Sequence, residues 1–431
     1  MFILYAKLVA SLLLAAILFL VLWQRQRIES ELARPNVPWL PVFWLVLRLV
    51  PFLFIYVIQD FHPQSDVRGY YYPIAQAAAY GKVLYRDVIC PYSPLFGYWL
   101  SPFVWIWQDP KGIVLAMTLF ELLAVWLTYR EPLSPEKRPA RLFRCLVYYL
   151  LPVSFVFCVT SGQEDVVLWI FALLAGKALA NNQSFRAGLW FALGLLSTKA
   201  LFVLMGVPLF FMARKKWPFI GACVALGLPV ALFYYWKAEL LFIQQPLEEG
   251  AYLKAPNLRS VLAPFIGEAI NRFQRIESYL GLLTTVGLTG YVLYRRHQLG
   301  QLQSNVRTTV ALFYILIFSW TTVVQHNAIS NYAYLTMLPM LFVMVDLTNR
   351  RAMAALLAFN VLAAVHSSFW WRIGQPFFYS FRQIDRPTYL LDYGIELLLV
   401  SGFALFAIQA VKQLLIGQNT QSAVQRPVPE H

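Results

Sequence analysis

The chain has 431 residues, 59% of them hydrophobic and 13% charged, with a net charge of +14. Soluble globular domains carry about 25% charged residues, so a soluble fold is excluded. A transmembrane barrel is excluded too, because it shows short alternating segments, whereas here apolar runs of about 20 residues recur, each enough to cross a bilayer as a helix.

The expected fold class is all-α, a polytopic membrane protein with about 11–13 transmembrane helices. The apolar segments fall at 2–23, 39–59, 112–130, 145–160, 165–180, 187–198, 200–213, 217–236, 277–294, 306–325, 331–347, 352–370 and 391–411. Trp23, Trp39, Trp217, Trp236 and Tyr291 stand at segment ends, where interfacial aromatic belts form. The first run is too long for a secretion signal's apolar core and lacks a small-residue cleavage site. It is read as a retained helix. One domain spans 1–416, and 417–431 is a polar tail expected to be disordered.

The connections fall into two sets. One comprises 24–38, 130–144, the pieces around Lys177 and Arg186, 213–217, 295–307, 348–351 and the tail, and it is strongly basic. The other comprises the N-terminus, 60–111, 161–165, 237–277, 326–331 and 371–392, where acidic and basic residues balance. The positive-inside rule puts the basic set in the cytoplasm, with the N-terminus outside and the C-terminus inside. The excess positive charge thus orients the chain in its bilayer and is no nucleic-acid surface. Arg186 and Arg214-Lys215-Lys216 both belong inside. A hairpin of two short helices turning near Ser197-Thr198-Lys199 satisfies this, and a single crossing does not. Each arm rises about 18 Å, short of the roughly 30 Å core, yet enough to lift Lys199 into the outer half when protein surrounds it.

Three long outer loops follow, at 60–111, 237–276 and 371–390. In the first, Ile74 to Tyr80 and Leu95 to Trp107 read as short helices along the interface. No loop is long enough for a soluble domain.

Polar residues in so apolar a chain need a partner or a task. Asp66 follows the second crossing at headgroup depth. It is a candidate general base, or else a helix cap or a loop carboxylate paired with Arg68. Gln163-Glu164-Asp165 fills the next outer turn, where Asp165 is either a site residue or a helix cap. Lys199 is flanked by Leu195-Leu196 and Ala200-Leu201-Phe202. It is read as a phosphate ligand or as the partner of Asp165. His326, in Gln325-His326-Asn327, is a candidate hydrogen-bonding residue near Asn331-Tyr332. Gathering His326, His62 and His366 around a metal with Asp66 or Asp165 finds no ligand spacing in its favour. Arg259, Arg372 and Arg382 lie in the later outer loops. Arg48 and Glu121 stand at equal depth in two crossings and are expected to pair. The four cysteines imply no disulfide framework. No Walker A loop, G-x-G-x-x-G after a strand, G-x-S-x-G or H-E-x-x-H occurs.

In the order Asp66, Tyr70 to Tyr72, Gly81, Leu84-Tyr85-Arg86-Asp87, Tyr92-Ser93-Pro94-Leu95, Gly162-Gln163-Glu164-Asp165, Ala187-Gly188, Gly194 and Lys199, the chain resembles GT-C superfamily glycosyltransferases. It is similar to the bacterial polyprenyl-phosphate-sugar-dependent, mannosyltransferase-like group, family 87. The motifs cover roughly 55–215, with an extra helix before the Asp66 crossing and Ser93 in place of the second residue of the usual Tyr-Pro-Pro. The resemblance implies a GT-C-like fold in the plasma (bacterial inner) membrane and a polyprenyl-phosphate-linked donor. A hexose or pentose such as mannose would transfer with inversion to a glycan, lipid or protein acceptor. Asp66 would be the catalytic base and Lys199 would stand near the phosphate. The candidate substrate-binding residues are Arg68, Tyr71, Tyr92, Gln163, Asp165, Lys199 and His326. No metal or other cofactor is expected, and membrane lipids are the remaining partner. A lipid-linked-sugar flippase and a polysaccharide polymerase or ligase are the rival classes. A transporter shows paired repeats and midplane polar residues, and here the polar motifs gather on one side.

The orientation predicts a labelling pattern. With the native cysteines replaced, a cysteine at Lys82 reacts with an impermeant maleimide in intact cells. One at Gln303 reacts only after permeabilisation, and the reverse pattern inverts the topology.

Overall fold

A computed structural model describes residues 2–416; the tail expected at 417–431 lies outside them. Every apolar segment read from the sequence is helical, and among the described residues β structure is limited to one isolated bridge between Leu84 and Val88. Among the described residues eight helices are long and apolar enough to span a membrane. The pair Arg138–Leu150 and Pro152–Thr160, bent by 63°, makes a ninth if it is counted as one broken span. The bend falls where Leu151 is extended, with ψ 131°, and where Pro152 lacks an amide hydrogen. The larger count expected, about 11–13, also takes in Val166–Ala180, Ser184–Ser197, Ala200–Met212 and Ala333–Val343. Each is too short to cross roughly 30 Å alone.

Burial separates centre from rim. The Val306–Val324 helix is 89% buried over its apolar window, against 17% for Ile3–Trp23 and for Lys216–Ala238. The rim helices expose Leu12, Leu13, Phe19, Leu228 and Leu232, a surface suited to lipid contact. The Phe2–Trp23 helix packs against Arg350–Arg372.

Depth matching foresaw one buried ion pair. Arg48 Nε donates to Glu121 Oε2 at 2.5 Å and Arg48 Nη2 to Oε1 at 3.1 Å, with both side chains fully buried. Arg48 also donates to Ser154 Oγ at 2.9 Å and to the Tyr149 carbonyl at 3.0 Å, while Tyr334 donates to Glu121 at 3.2 Å. Arg48 lies in a widened helical turn, Leu45–Leu49, ahead of Pro51. Such π-type turns often mark positions where a side chain is re-aimed.

The segment 184–212 is a hairpin. Ser184–Ser197 ends at Thr198, and a tight helix, Ala200–Met205, leads into Gly206–Met212. Its two ends meet, because the Lys215 amide donates to Ser184 Oγ at 3.2 Å. The arms touch at Gly194, where an added Cβ would collide with the Phe202 ring.

The three long loops form one cap at the end of the bundle that carries Asp66. Helices Tyr72–Ala79 and Phe96–Ile106 lie in the first loop, as read from the sequence, and pack on each other. Gln245 of the second loop accepts from the Cys90 amide at 2.7 Å and donates to the Tyr85 carbonyl at 2.8 Å. Tyr379 of the third donates to Asn271 at 3.1 Å. An Asp60–Lys111 ion pair joins the two mouths of the first loop.

A charge left alone in this interior is the expensive state. Arg48→Leu should cost about 3–5 kcal/mol, and Arg48→Leu with Glu121→Leu should cost less, as read by thermal unfolding in detergent. Equal losses would rule out the coupling.

Candidate functional site

Asp66 precedes the turn Val67–Tyr71, which runs on into Tyr72–Ala79. Facing it is the turn Ser161 to Asp165, between the bent span and the Val166–Ala180 helix. The two are held close by Gly162, whose φ is +58° and where a Cβ would stand 2.7 Å from Val67 Cγ2. Only glycine suits both the left-handed backbone and the close approach.

This brings Gln163 Nε2 to donate to Asp66 Oδ2 at 3.0 Å. Asp66 is half-buried and Arg68 exposed; among the described residues the partner of the Asp66 carboxylate across the turn is Gln163 rather than Arg68, which corrects the pairing with Arg68. Next along, Tyr71 donates to Glu164. Lys199, at the hairpin tip, is paired with Asp165 and stands 3.2 Å from Glu164 Oε1. The Tyr332 ring centroid is 4.7 Å from its ammonium. Glu164 and Asp165 are both fully buried. Burial pushes Asp165 up to about 7, against the pull of Lys199. Burial would lower Lys199, but Asp165 and then Glu164 outweigh it and hold the ammonium above its ordinary value. Asp165 Oδ2 and Thr198 Oγ1 are buried without a hydrogen-bond partner.

The first loop is stitched to the hairpin tip. The Ser93 amide donates to the Thr198 carbonyl at 2.8 Å, the Leu95 amide to the Leu196 carbonyl at 2.7 Å, and Trp99 Nε1 to the Ser197 carbonyl at 2.6 Å. Below this seam opens a groove of about 710 Å³ between the first loop's second helix, Pro110–Arg130, Val166–Ala180 and the hairpin. Its walls include Phe120, Ile170, Phe171, Trp190 and Leu193, and the lining also takes in Ser197 and Val167, two residues from Lys199 and Asp165 respectively. The lining is almost wholly apolar.

The structure draws Asp66, Gln163, Asp165 and Lys199 together, and sets the others around them. Tyr71 is buried as the support of Glu164, and Tyr92 packs edge-on to it at 5.2 Å and stacks on Phe96 at 4.4 Å. Arg68 is exposed. His326 is buried beneath the second loop, its carbonyl accepting from the Lys254 amide at 2.9 Å and from Asn257 Nδ2 at 3.1 Å. Burial and the Arg259 charge hold its imidazole below the ordinary value. Arg259 itself is tied to Glu277 and Asn271, a packing role. His62 is exposed and His366 lies between other helices, so the three histidines do not share a site.

Two lysines escaped the sequence reading. Lys7 is the one charge in the Phe2–Trp23 run, and its ammonium donates to Ser161 Oγ at 3.1 Å, within electrostatic reach of Asp66. Its isolation in an apolar helix was a usable signal. Lys254, bound to Glu249 at 2.7 Å, also feels Asp66 and Tyr332. Nothing local marks it, because only loop folding brings it there. No family model, curated protein or solved structure matches the chain.

The cluster predicts a second coupling. Lys199→Met strands two buried carboxylates and should destabilise by roughly 3 kcal/mol or more. Adding Asp165→Asn should recover part of the loss in melting temperature, and additive losses would contradict the pairing.

Proposed function

We propose that the chain is a GT-C-type membrane glycosyltransferase, moving a sugar from a polyprenyl-phosphate donor to an acceptor hydroxyl at the extracytoplasmic face of the plasma membrane. One observation carries this reading. The Asp66–Gln163 and Asp165–Glu164–Lys199 groups neighbour an apolar groove whose lining takes in Ser197 and Val167, two residues from Lys199 and Asp165 respectively, a pairing that suits a ligand with an anionic head and a long hydrocarbon tail. Ligand pockets of about 300–1,000 Å³ pair such apolar walls with few polar groups. The balanced charge of the loops on this side assigns it to the outer face.

The chemistry follows from the groups present. Asp66 takes the proton of the acceptor hydroxyl, whose oxygen attacks the sugar C1 from the face opposite the phosphate. The C1–O bond breaks, its electron pair leaves with the lipid phosphate, and the configuration inverts. Gln163 holds the Asp66 carboxylate by donating to it. The leaving phosphate gains charge where water is scarce, so a fixed cation nearby lowers the barrier. Lys199 serves this role, and Lys7, which has no carboxylate partner among the described residues, adds a second positive charge beside Asp66. Proton uptake by Asp165 would weaken its hold on Lys199 and free the ammonium for phosphate.

Removing a general base costs about 10²–10⁴ in rate, so Asp66→Asn should lose transfer from polyprenyl-phosphate-mannose, or from another sugar donor, by that factor. An Asn variant as active as the parent removes Asp66 from the role. Lys199→Ala should raise the donor KM more than the acceptor KM. Ile170→Trp, which narrows the groove, should impair long-chain donors and spare short-chain analogues. Equal loss on both counts against the groove as the tail site.

A further inference from the structure

A second buried cluster lies apart from the residues assigned above. His366 comes from the Arg350–Arg372 helix, and Asp392 and Glu396 from one turn of Pro387–Ile416. Their exposures are 0%, 0% and 1%. The three offer ligand atoms that all lie within 4.8 Å of one another. Both imidazole nitrogens of His366 and both carboxylate oxygens of Asp392 are buried without a hydrogen-bond partner. Among the described residues neither carboxylate has a lysine or arginine in an ion pair; Glu396 has Asp392 beside it and a hydrogen bond with Ser260.

Buried carboxylates are ordinarily paired, hydrogen-bonded or bound to metal. Here His366 and Asp392 lack such hydrogen bonds. His366 Nε2 and Asp392 Oδ1 are 3.4 Å apart, long for a charge-assisted hydrogen bond of about 2.7–2.9 Å. It is close to the edge of a tetrahedron whose bonds are about 2.0–2.1 Å, roughly 3.4 Å. A divalent ion neutralises two carboxylates beside a neutral imidazole, and an imidazole donor favours zinc-like ions over magnesium or calcium.

We propose that His366, Asp392 and Glu396 bind a divalent transition metal of the zinc type. The ion ties the last two helices together under the second loop, where Tyr393, next to Asp392, donates to the Val261 carbonyl at 2.9 Å. This departs from the expectation of no metal. It also gives His366 partners that spacing along the chain does not reveal, since the ligands come from two helices.

The test uses full-length protein in detergent, purified through a tag without histidines, exchanged into zinc and then freed of loose ion by gel filtration. Elemental analysis should find one zinc per chain in the parent and at least a tenfold loss in Asp392→Asn with Glu396→Gln. Cobalt(II) in place of zinc should give the visible bands of a four- or five-coordinate ion. His366→Cys keeps a ligand at the position and should add a thiolate-to-cobalt charge-transfer band, which guards against a variant that merely misfolds. Parent protein without zinc or cobalt bands, or a His366→Cys spectrum identical to the parent's, overturns the assignment.

Discussion

The molecule depends on the rule that a charge out of water needs a partner of opposite sign within reach. Lys199 with Asp165 and Glu164 is that rule at the polar end of the bundle, and Arg48 with Glu121 is that rule in its middle. Each ties together segments distant in the chain. The first fixes the hairpin tip against the Ser161 to Asp165 turn, and the second fixes the Trp39–Ile58 span against Pro110–Arg130. Helices that would otherwise slide in lipid acquire a register, because moving either member by a turn would strand it.

The two pairs serve different ends. Arg48 and Glu121 are saturated: bidentate contact, Ser154, Tyr149 and Tyr334 leave no room for a ligand. The Lys199 cluster carries more carboxylates than cations, an unpartnered oxygen on Asp165, and a tyrosine face instead of another ion. It also adjoins an apolar groove. That contrast, a closed ion pair against an open one, makes the second the natural centre for the proposed chemistry.

Several of the candidate site residues also brace their neighbours. Tyr71 holds Glu164, Gln163 holds Asp66, and His326 anchors the second loop through its carbonyl. In a fold whose cap is three loops rather than a domain, such bonds replace the packing that a soluble core would supply. Glycine does the same at Gly162, where the Asp66 strand of the loop and the acidic turn could not approach with any side chain between them.

What the sequence determined by itself was the helical class, the segment positions, the hairpin, the two helices of the first long loop and the Arg48–Glu121 match. All of these follow from one-dimensional quantities: apolar length, charge balance and depth along a helix. It also marked Asp66, Asp165 and Lys199, because a polar residue stands out against an apolar background. Only the tertiary structure decided that Lys7 and Lys254 come within electrostatic reach of Asp66, that an apolar groove's lining includes Ser197 close to Lys199 in the chain, and that His366 meets Asp392 and Glu396 rather than His326. Those facts depend on which helices are neighbours and how they are rotated, and in lipid an apolar helix face is much the same on every side, so periodicity leaves no record of its partner.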